Sequence, residues 1–163
     1  TSRNFKVVSE SGHVYGYGKS VWAMIDLDTR QPVDILAVRD GLISEYIETE
    51  YPCPIEKSSR VKMSADAAPI RSIDTYYSDV DINGHINSVK YIEHVLDLWD
   101  LSWYKQHNIK RFEIAYVAES HQGDKLHFYR EQRETETDFN VRITKRNVEG
   151  KETEVCRCRV QFV

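Results

Sequence analysis

In the C-terminal half of the chain, one helical pattern stands directly before four strand patterns, and this order most constrains the fold. Apolar residues recur at helical spacing after Asn87, at Val89, Ile92, Val95, Leu96, Trp99 and Trp103. Four strand candidates follow, at 112–118, 125–132, 138–146 and 153–163, with Gly123-Asp124 and Glu149-Gly150 in their turns. One helix followed by an antiparallel meander predicts an α+β fold in which the sheet wraps around the helix.

The N-terminal part predicts a hairpin and a helix. Residues 5–8 and 14–25 form the two strands, and Ser11-Gly12-His13 forms the turn. Helical spacing predicts a helix over 36–51, through Val38, Leu42, Ile43, Tyr46 and Ile47. Two prolines in Tyr51-Pro52-Cys53-Pro54 oppose both helix and central strand. They predict a linker that continues through the polar stretch 56–62.

A faint internal repeat links the two halves. Phe5-x-Val7, then Gly12 and a long strand, is echoed by Phe139-x-Val141, then Gly150 and a long strand. Two interpretations stay open, since any two hairpins can look alike. If the repeat is genuine, residues 1 to about 30 are the last hairpin of an earlier copy of the same unit.

Length and charge exclude several classes. The 163 residues suffice for one sizeable domain, or for one complete domain and part of another. A net charge of −4 argues against a general nucleic-acid surface. The sequence holds no apolar run of membrane-spanning length and no secretory segment. Three cysteines without a C-x-x-C pattern favour a reducing compartment, with Cys156 and Cys158 as packing residues.

Asp81, Asn83 and His85 alternate just before the predicted helix. A histidine with an ordinary pKa near 6.5 is suited to act as a general base at neutral pH. Asn83, or amides at Gly84 and the helix start, are candidates to hold an oxyanion, and Asp81 is a candidate to orient the group. The alternative is a capped loop, because Asp, Asn and Gly are common turn formers. The combination favours acyl-transfer chemistry.

Glu119 follows the predicted strand 112–118 and has two interpretations, a solvated strand end or a second site carboxylate. His121, in the same turn, is interpreted as a surface histidine. No metal or other cofactor is predicted, because there is no H-E-x-x-H motif and no Cys/His pair at zinc spacing. Nucleophile-elbow, P-loop and Rossmann patterns are also absent from the sequence.

The motif region resembles a known family. The run from Asp79 to Ile92, DVDINGHINSVKYI, is similar to the D-x-N-x-H-V-N-N-x-K-Y-I signature of acyl-acyl-carrier-protein (acyl-ACP) thioesterases. Tyr116-Val117-Ala118-Glu119-Ser120 resembles that family's Y-R-R-E-C segment. Ser20-Val21-Trp22, Ile25-Asp26 and 29–32 (TRQP) resemble the end of its first domain. The similarity covers nearly the whole chain, although the shorter H-V-N-N-x-x-Y core also occurs in acyl-CoA thioesterases.

The resemblance implies a tandem hot-dog fold, in which each long helix is wrapped by an antiparallel sheet. Residues 1–51 would be the C-terminal part of a first hot-dog domain, whose helix and opening strands are not in this chain. Residues 52–67 would be a linker, and 68–163 a complete second domain. The implied catalytic set is Asp81, Asn83, His85 and Glu119, with Gly84, Asn87 and Ser120 binding substrate. Ser120 stands where the family has cysteine, and Asn87-Ser88 where it has Asn-Asn.

The implied activity is hydrolysis of a fatty acyl thioester on acyl-carrier protein, in fatty acid biosynthesis, by water that a general base activates. Two alternatives stay open, an acyl-CoA thioesterase of the same fold and a non-catalytic acyl-binding module. An acidic carrier would need a basic patch, for which Lys105, Lys110 and Arg111, or Lys57, Arg60 and Lys62, are candidates. We also expect a homodimer through sheet pairing, no nucleic-acid partner and no membrane span. The expected location is the bacterial cytoplasm or, if the protein is plant-like, the plastid stroma.

Overall fold

The structure, a computed structural model, describes residues 1–146 and 150–163, which divide into the units Thr1–Lys57 and Ser58–Val163. The predicted turn at Glu149-Gly150 lies partly outside the described residues, because they resume at Gly150. The assignment of 1–51 to a first hot-dog domain stays a prediction.

The predicted hairpin is confirmed in the first unit. Strand β1 (Ser2–Val8) pairs antiparallel with β2 (Val14–Val21). Phe5 faces Gly18 across the two strands, where a Cβ added at Gly18 would lie in ordinary van der Waals contact with the Phe5 side chain. Large apolar side chains of this unit stay exposed, including Tyr15 and Val21. A two-stranded hairpin is at best marginally stable by itself in water.

The continuous helix predicted over 36–51 is wrong. The segment Ile35–Tyr46 consists of 3₁₀ turns interrupted by a kink, with extended backbone at Val38 and left-handed backbone from Arg39 to Gly41. None of its residues is buried. A short helix depends on packing of its apolar face for most of its stability, and here that packing is lacking within the segment's own unit.

The second unit contains a five-stranded antiparallel sheet. Its strands are β3 (Arg71–Asp74), β4 (Ile109–Tyr116), β5 (Lys125–Gln132), β6 (Asp138–Arg146) and β7 (Glu152–Phe162). Their order is β3-β5-β6-β7-β4. The four predicted strands are confirmed, with small shifts at the ends of β4 and β7.

The predicted helix is present but is divided in two. Helix α1 (Ser88–Leu96) ends at Asp97, and the short α2 (Leu101–Tyr104) begins after Asp100, whose carboxylate accepts the Trp103 amide. The predicted apolar face is partly wrong, since Val89 is half exposed whereas Tyr91 is buried. Asp100 explains the division, because a capping carboxylate starts a new helix.

The core of the second unit lies between the helices and one face of the sheet. Val95 and Trp99 belong to the same buried cluster as Phe128, Phe139 and Phe162. The Trp99 ring makes edge contacts with the rings of Phe139 and Phe162, at centroid distances of 5.2 and 5.0 Å. The helix-then-meander order therefore produces the predicted α+β layer arrangement.

A polar stripe crosses the sheet through Glu113, Arg159, Asn140 and Glu131, which are paired in register across four strands. The segment 59–64 follows this stripe. The Ser59 amide donates to Glu113 (2.7 Å), the Asn140 side chain donates to the Lys62 carbonyl (2.9 Å), and the Ser64 amide donates to Glu131 (3.0 Å). The chain before β3 is thus bound along the sheet by side chains from β4, β6 and β5.

Candidate active site

Asp81 organises the loop in front of α1. Its carboxylate accepts hydrogen bonds from the amides of Asn83 (2.8 Å) and His85 (3.3 Å), and its own amide donates to the His85 carbonyl at 2.8 Å. Gly84 adopts φ +82°, a conformation that favours glycine. The order Asp-x-Asn-Gly-His forms a tight loop because an aspartate-capped turn precedes a left-handed glycine. This loop presents His85 at the start of the helix.

Asn87 caps α1. Its side-chain oxygen accepts a hydrogen bond from the Val89 backbone amide at 2.9 Å, and its own backbone amide donates to the Asp79 carbonyl at 2.7 Å. Asp79 is itself buried and accepts the Tyr76 amide at 2.8 Å. These bonds connect the helix start to the chain before the motif. The predicted cap at Asn87 is confirmed, whereas its predicted contact with substrate stays a prediction.

The imidazole of His85 meets the carboxylate of Glu119. Nε2 lies 3.3 Å from Oε2, with the two side chains 32% and 50% exposed. The next residue on each side is also joined, since the Ile86 amide donates to the Ser120 carbonyl at 2.8 Å. The loop after β4 is therefore bound to the motif loop immediately beside both functional side chains. Glu119 therefore contacts His85, and its assignment as a site carboxylate stays a prediction.

His85 and Glu119 face a cleft of about 310 Å³. Its other walls are Asp81, the helix start at Ile86 and Ser88, the rings of Tyr91 and Tyr116, and Val117 with Ala118. The Tyr116 hydroxyl donates to the Ser88 carbonyl at 3.1 Å, which ties the end of β4 to α1. A polar acid–base pair beside an apolar wall and a helix N-terminus can hold an acyl group and stabilise negative charge on it.

Ser120 is fully buried, and the neighbouring Tyr91 is almost completely buried. Neither hydroxyl makes a hydrogen bond of normal geometry within the residues that the structure describes. Burial raises the pKa of Tyr91 to about 12, although the adjacent Ser120 acts to lower it. Tyr91 is therefore protonated at neutral pH. The predicted role of Ser120 in binding substrate stays a prediction.

The buried cysteines are poor nucleophiles. Burial raises the pKa of the Cys158 thiol to about 12 and that of Cys156 further still. Both thiols are protonated at neutral pH, and it is the thiolate that reacts. Cys53, in the first unit, is partly exposed and unbonded to another cysteine.

The structure brings Asp81, His85 and Glu119 to the same cleft, whereas the other predicted site residues are not among those that line it. Asn83 is exposed at the tip of the loop, and the Gly84 amide is already bonded to the Asp81 carbonyl at 3.0 Å. Tyr91 and Tyr116 also line the cleft, although neither is a site residue predicted from the sequence. The family resemblance could have identified them, because its K-Y-I segment contains Tyr91 and its Y-x-x-E segment contains Tyr116.

Within residues 1–146 and 150–163, no three His, Cys, Asp or Glu side chains are grouped so that they could bind a metal ion. No helix in that described part of the chain is both long enough and apolar enough to span a membrane.

The sequence of the chain is similar to those of known thioesterases. The model of the acyl-ACP thioesterase C-terminal domain matches residues 62–162. A chloroplastic palmitoyl-acyl carrier protein thioesterase of Gossypium hirsutum is 29% identical over 114 residues, which is 68% of this chain and 28% of the relative. The chain thus spans much less than half of this relative's length.

Solved structures agree as well. An acyl-ACP thioesterase from Bacteroides thetaiotaomicron is 46% identical with a TM-score of 0.87, over 99% of this chain and 62% of that one. The 12:0-ACP thioesterase from Umbellularia californica shares the fold, with a TM-score of 0.79 at 20% identity, over 99% of this chain and 62% of that one. These likenesses confirm the hot-dog fold. Since the family model covers most of the chain and includes the whole candidate site, the chain belongs to the acyl-ACP thioesterase family.

Proposed function

We propose that this chain carries the catalytic centre of a thioesterase that releases free fatty acid from acyl-carrier protein, in fatty acid biosynthesis. The observation that carries the proposal is the 3.3 Å approach of His85 Nε2 to Glu119 Oε2 at the mouth of a cleft beside the N-terminus of α1. A paired imidazole and carboxylate in such a cleft is suited to general-base catalysis. The family of the chain and the acyl-ACP substrates in its relatives' names support this substrate class.

The proposed reaction uses water as the nucleophile. His85 and Glu119 take a proton from a water molecule as its oxygen attacks the thioester carbonyl carbon. The tetrahedral oxyanion is stabilised by donors near the helix start, where Ser88 lines the cleft, and by the positive end of the α1 dipole. The C–S bond then breaks, the carbonyl re-forms, and the proton passes to the leaving thiolate. The products are a fatty acid and the free thiol of the carrier.

The remaining loop residues have proposed supporting roles. Asp81 orients the loop through the amides that it accepts, and Asn83 contacts the carbonyl or the water. Gly84 lets the thioester approach the backbone closely. Asn87 and Ser120 lie on the two segments that border the bound thioester. The thiols of buried Cys156 and Cys158 are protonated at neutral pH. This supports a mechanism in which no cysteine thiolate acts as the nucleophile.

The proposed partner is an acyl-carrier protein, an acidic class of protein that needs basic contacts. Arg111 is a weaker candidate for such contacts than its sequence position suggests, since Glu113 pairs with it at 2.6 Å. Lys62 and Arg60 project beside Arg133 and remain candidates. The protein would act where the carrier resides, in the bacterial cytoplasm or, in a plant-like setting, the plastid stroma. Hot-dog relatives include a hexameric thioesterase from Yersinia pestis, and we propose a homodimer through sheet pairing here.

The test is to measure fatty acid release by the full chain from palmitoyl- and dodecanoyl-carrier protein and from the matched acyl-CoA thioesters. We expect kcat/KM to be at least tenfold higher on the carrier substrates, with the Glu119→Gln variant as the inactive control. Equal or better turnover of acyl-CoA would support an acyl-CoA thioesterase instead. Acyl-carrier binding without hydrolysis above the control would indicate a binding module and contradict the proposed activity.

A further inference from the structure

Hydrogen bonds from buried and charged side chains fix the backbone of the turn that follows Glu119. The buried Thr75 hydroxyl shares its single proton between the carbonyl oxygens of His121 (2.9 Å) and Asp124 (2.8 Å). The His121 amide donates to the Asp124 carboxylate at 2.9 Å, and Lys145 pairs with the same carboxylate at 3.1 Å. Both main-chain polar groups of His121 are therefore bound. A side chain on such a backbone projects from a fixed base.

The His121 ring lies against the ring of His85. Their centroids are 5.1 Å apart and their planes are at 78°. Aromatic rings favour this distance and this perpendicular arrangement. His85 is about one-third exposed and has Glu119 at its Nε2 atom. Without a second contact, its ring would be free to turn away from Glu119, because an exposed imidazole rotates readily about its side-chain torsions.

We propose that His121 is a positioning residue for the thioesterase reaction, which packs against the His85 imidazole and keeps Nε2 directed at Glu119. The inference rests on the function proposed above. His121 acts by packing against the His85 ring and not by transferring a proton. His85 is itself in contact with solvent and needs no relay to exchange a proton.

A role in packing predicts different effects for two substitutions of His121. His121→Phe keeps a flat ring but cannot carry a proton, whereas His121→Ala removes the ring. We expect His121→Ala to lower kcat about three- to tenfold, in line with the energy of one aromatic contact, with KM within about twofold. His121→Phe should restore kcat to within about twofold of the parent. Gln122→Ala, an exposed neighbour in the same turn, is the matched control and should leave kcat unchanged.

A spectroscopic readout keeps this inference separate from the proposed activity. In protein labelled with ¹⁵N-histidine, the ring signals of His85 are identified by their loss in His85→Gln. We expect them to broaden through microsecond-to-millisecond exchange in His121→Ala and to stay sharp in the parent and in His121→Phe. This result is measurable even if the chain hydrolyses no thioester.

Three outcomes would overturn the inference. The first is unchanged His85 signals in His121→Ala, and the second is an unchanged kcat in an active His121→Ala enzyme. The third is a His121→Phe variant as impaired as His121→Ala, which would show that the ring handles a proton. His121 is exposed, so none of these variants should fail to fold, and thermal unfolding checks that they retain the parental stability.

Discussion

The Ile86 amide donates a hydrogen bond of 2.8 Å to the Ser120 carbonyl, and this bond joins the positions next to His85 and Glu119. The two side chains are separated in sequence by two helices and a strand, yet their backbones are bound one residue away from the point of contact. A bond at this position limits relative movement of the two loops. The proposed acid–base pair is thus held by the main chain more than by the contact between its two side chains, which are 32% and 50% exposed to water.

A double-mutant cycle at His85 and Glu119 tests whether they act as one unit. We expect His85→Ala and Glu119→Ala each to lower kcat/KM by about 10²- to 10⁴-fold, as for loss of a general base. The double variant should be little worse than the weaker single variant, because residues that act together are not additive. Initial rates of fatty acid release give the three values.

The control for this cycle is Glu93→Ala, which removes the surface ion pair with Lys90. It should leave turnover unchanged, and all variants should keep the free energy of unfolding within about 1 kcal/mol of the parent. Near-normal turnover in either single variant would contradict the assignment of the pair.

Asp81 allows a test of loop organisation against charge. Asp81→Asn keeps an oxygen that can accept the amides of Asn83 and His85, whereas Asp81→Ala removes it. We expect Asp81→Ala to lower the free energy of unfolding by about 1–2 kcal/mol and to lower turnover, with Asp81→Asn closer to the parent in both. Urea unfolding and initial rates measure the two effects. Equal loss of turnover in both variants with unchanged stability would assign Asp81 to the chemistry directly.

The sequence predicted the second unit well because its signals are local. Alternating apolar residues specify β5 and β6, and Asn87 specifies the start of α1. The loop motif likewise encodes its own turn through Asp81 and Gly84. Local residues could not bring Glu119 to His85, because that contact depends on how β4 leaves the sheet. Only the family resemblance identified Glu119 beforehand.

The wrong predictions concern two segments with helical spacing of apolar residues. One has no surface to pack against within its own unit, and the other contains a residue that caps a new helix. Leu42 and Tyr46 have helical spacing, but they are exposed, and the backbone from Arg39 to Gly41 is left-handed. The long helix after Asn87 was predicted as continuous because the spacing of Trp99 and Trp103 fits it. The cap at Asp100 starts a new helix there, and capping by one carboxylate is a weak signal within an apolar pattern.

Thr75 tests the support beneath the Glu119 turn. Its hydroxyl donates to the His121 and Asp124 carbonyls from a buried position. Thr75→Val removes both bonds at nearly constant volume, so we expect the free energy of unfolding to fall by about 1–3 kcal/mol. Thr75→Ser, the matched control, keeps the hydroxyl and should lose less. Calorimetric or urea unfolding compares the two, and equal losses would show that the methyl group matters more than the hydroxyl.

Asn87 separates capping from substrate contact. Its oxygen caps α1 through the Val89 amide, so Asn87→Ala should lower the free energy of unfolding by about 1 kcal/mol. Asn87→Asp keeps the capping oxygen but loses the amide NH₂ donor. We expect Asn87→Asp to retain parental stability. A rise in the KM of Asn87→Asp at parental stability would show that the side chain contacts substrate as predicted. A KM equal to that of the parent would show that Asn87 acts only as a helix cap.

Asp138 links stability to pH. The guanidinium of Arg159 hydrogen-bonds its nearly buried carboxylate, at 2.7 and 2.9 Å, and holds the pKa of that carboxyl below its ordinary value of 3.8. The unfolded chain then binds more protons than the folded chain near pH 4. The stabilisation is therefore fully present above the ordinary pKa and is lost as pH falls below about 4.

Asp138→Asn removes this linkage. At pH 7 we expect it to lower the free energy of unfolding by about 1–3 kcal/mol, because the Arg159 side chain, itself largely buried, loses a charged acceptor. As pH falls below about 4, the parent loses its advantage and the two unfolding curves should converge. Urea unfolding between pH 7 and pH 3 measures this, with Asp97→Asn as an exposed control that should change little, since its pairing with Arg71 is long, at 3.9 Å. A difference between parent and Asp138→Asn that stays constant with pH would mean that the carboxylate charge contributes nothing to the fold.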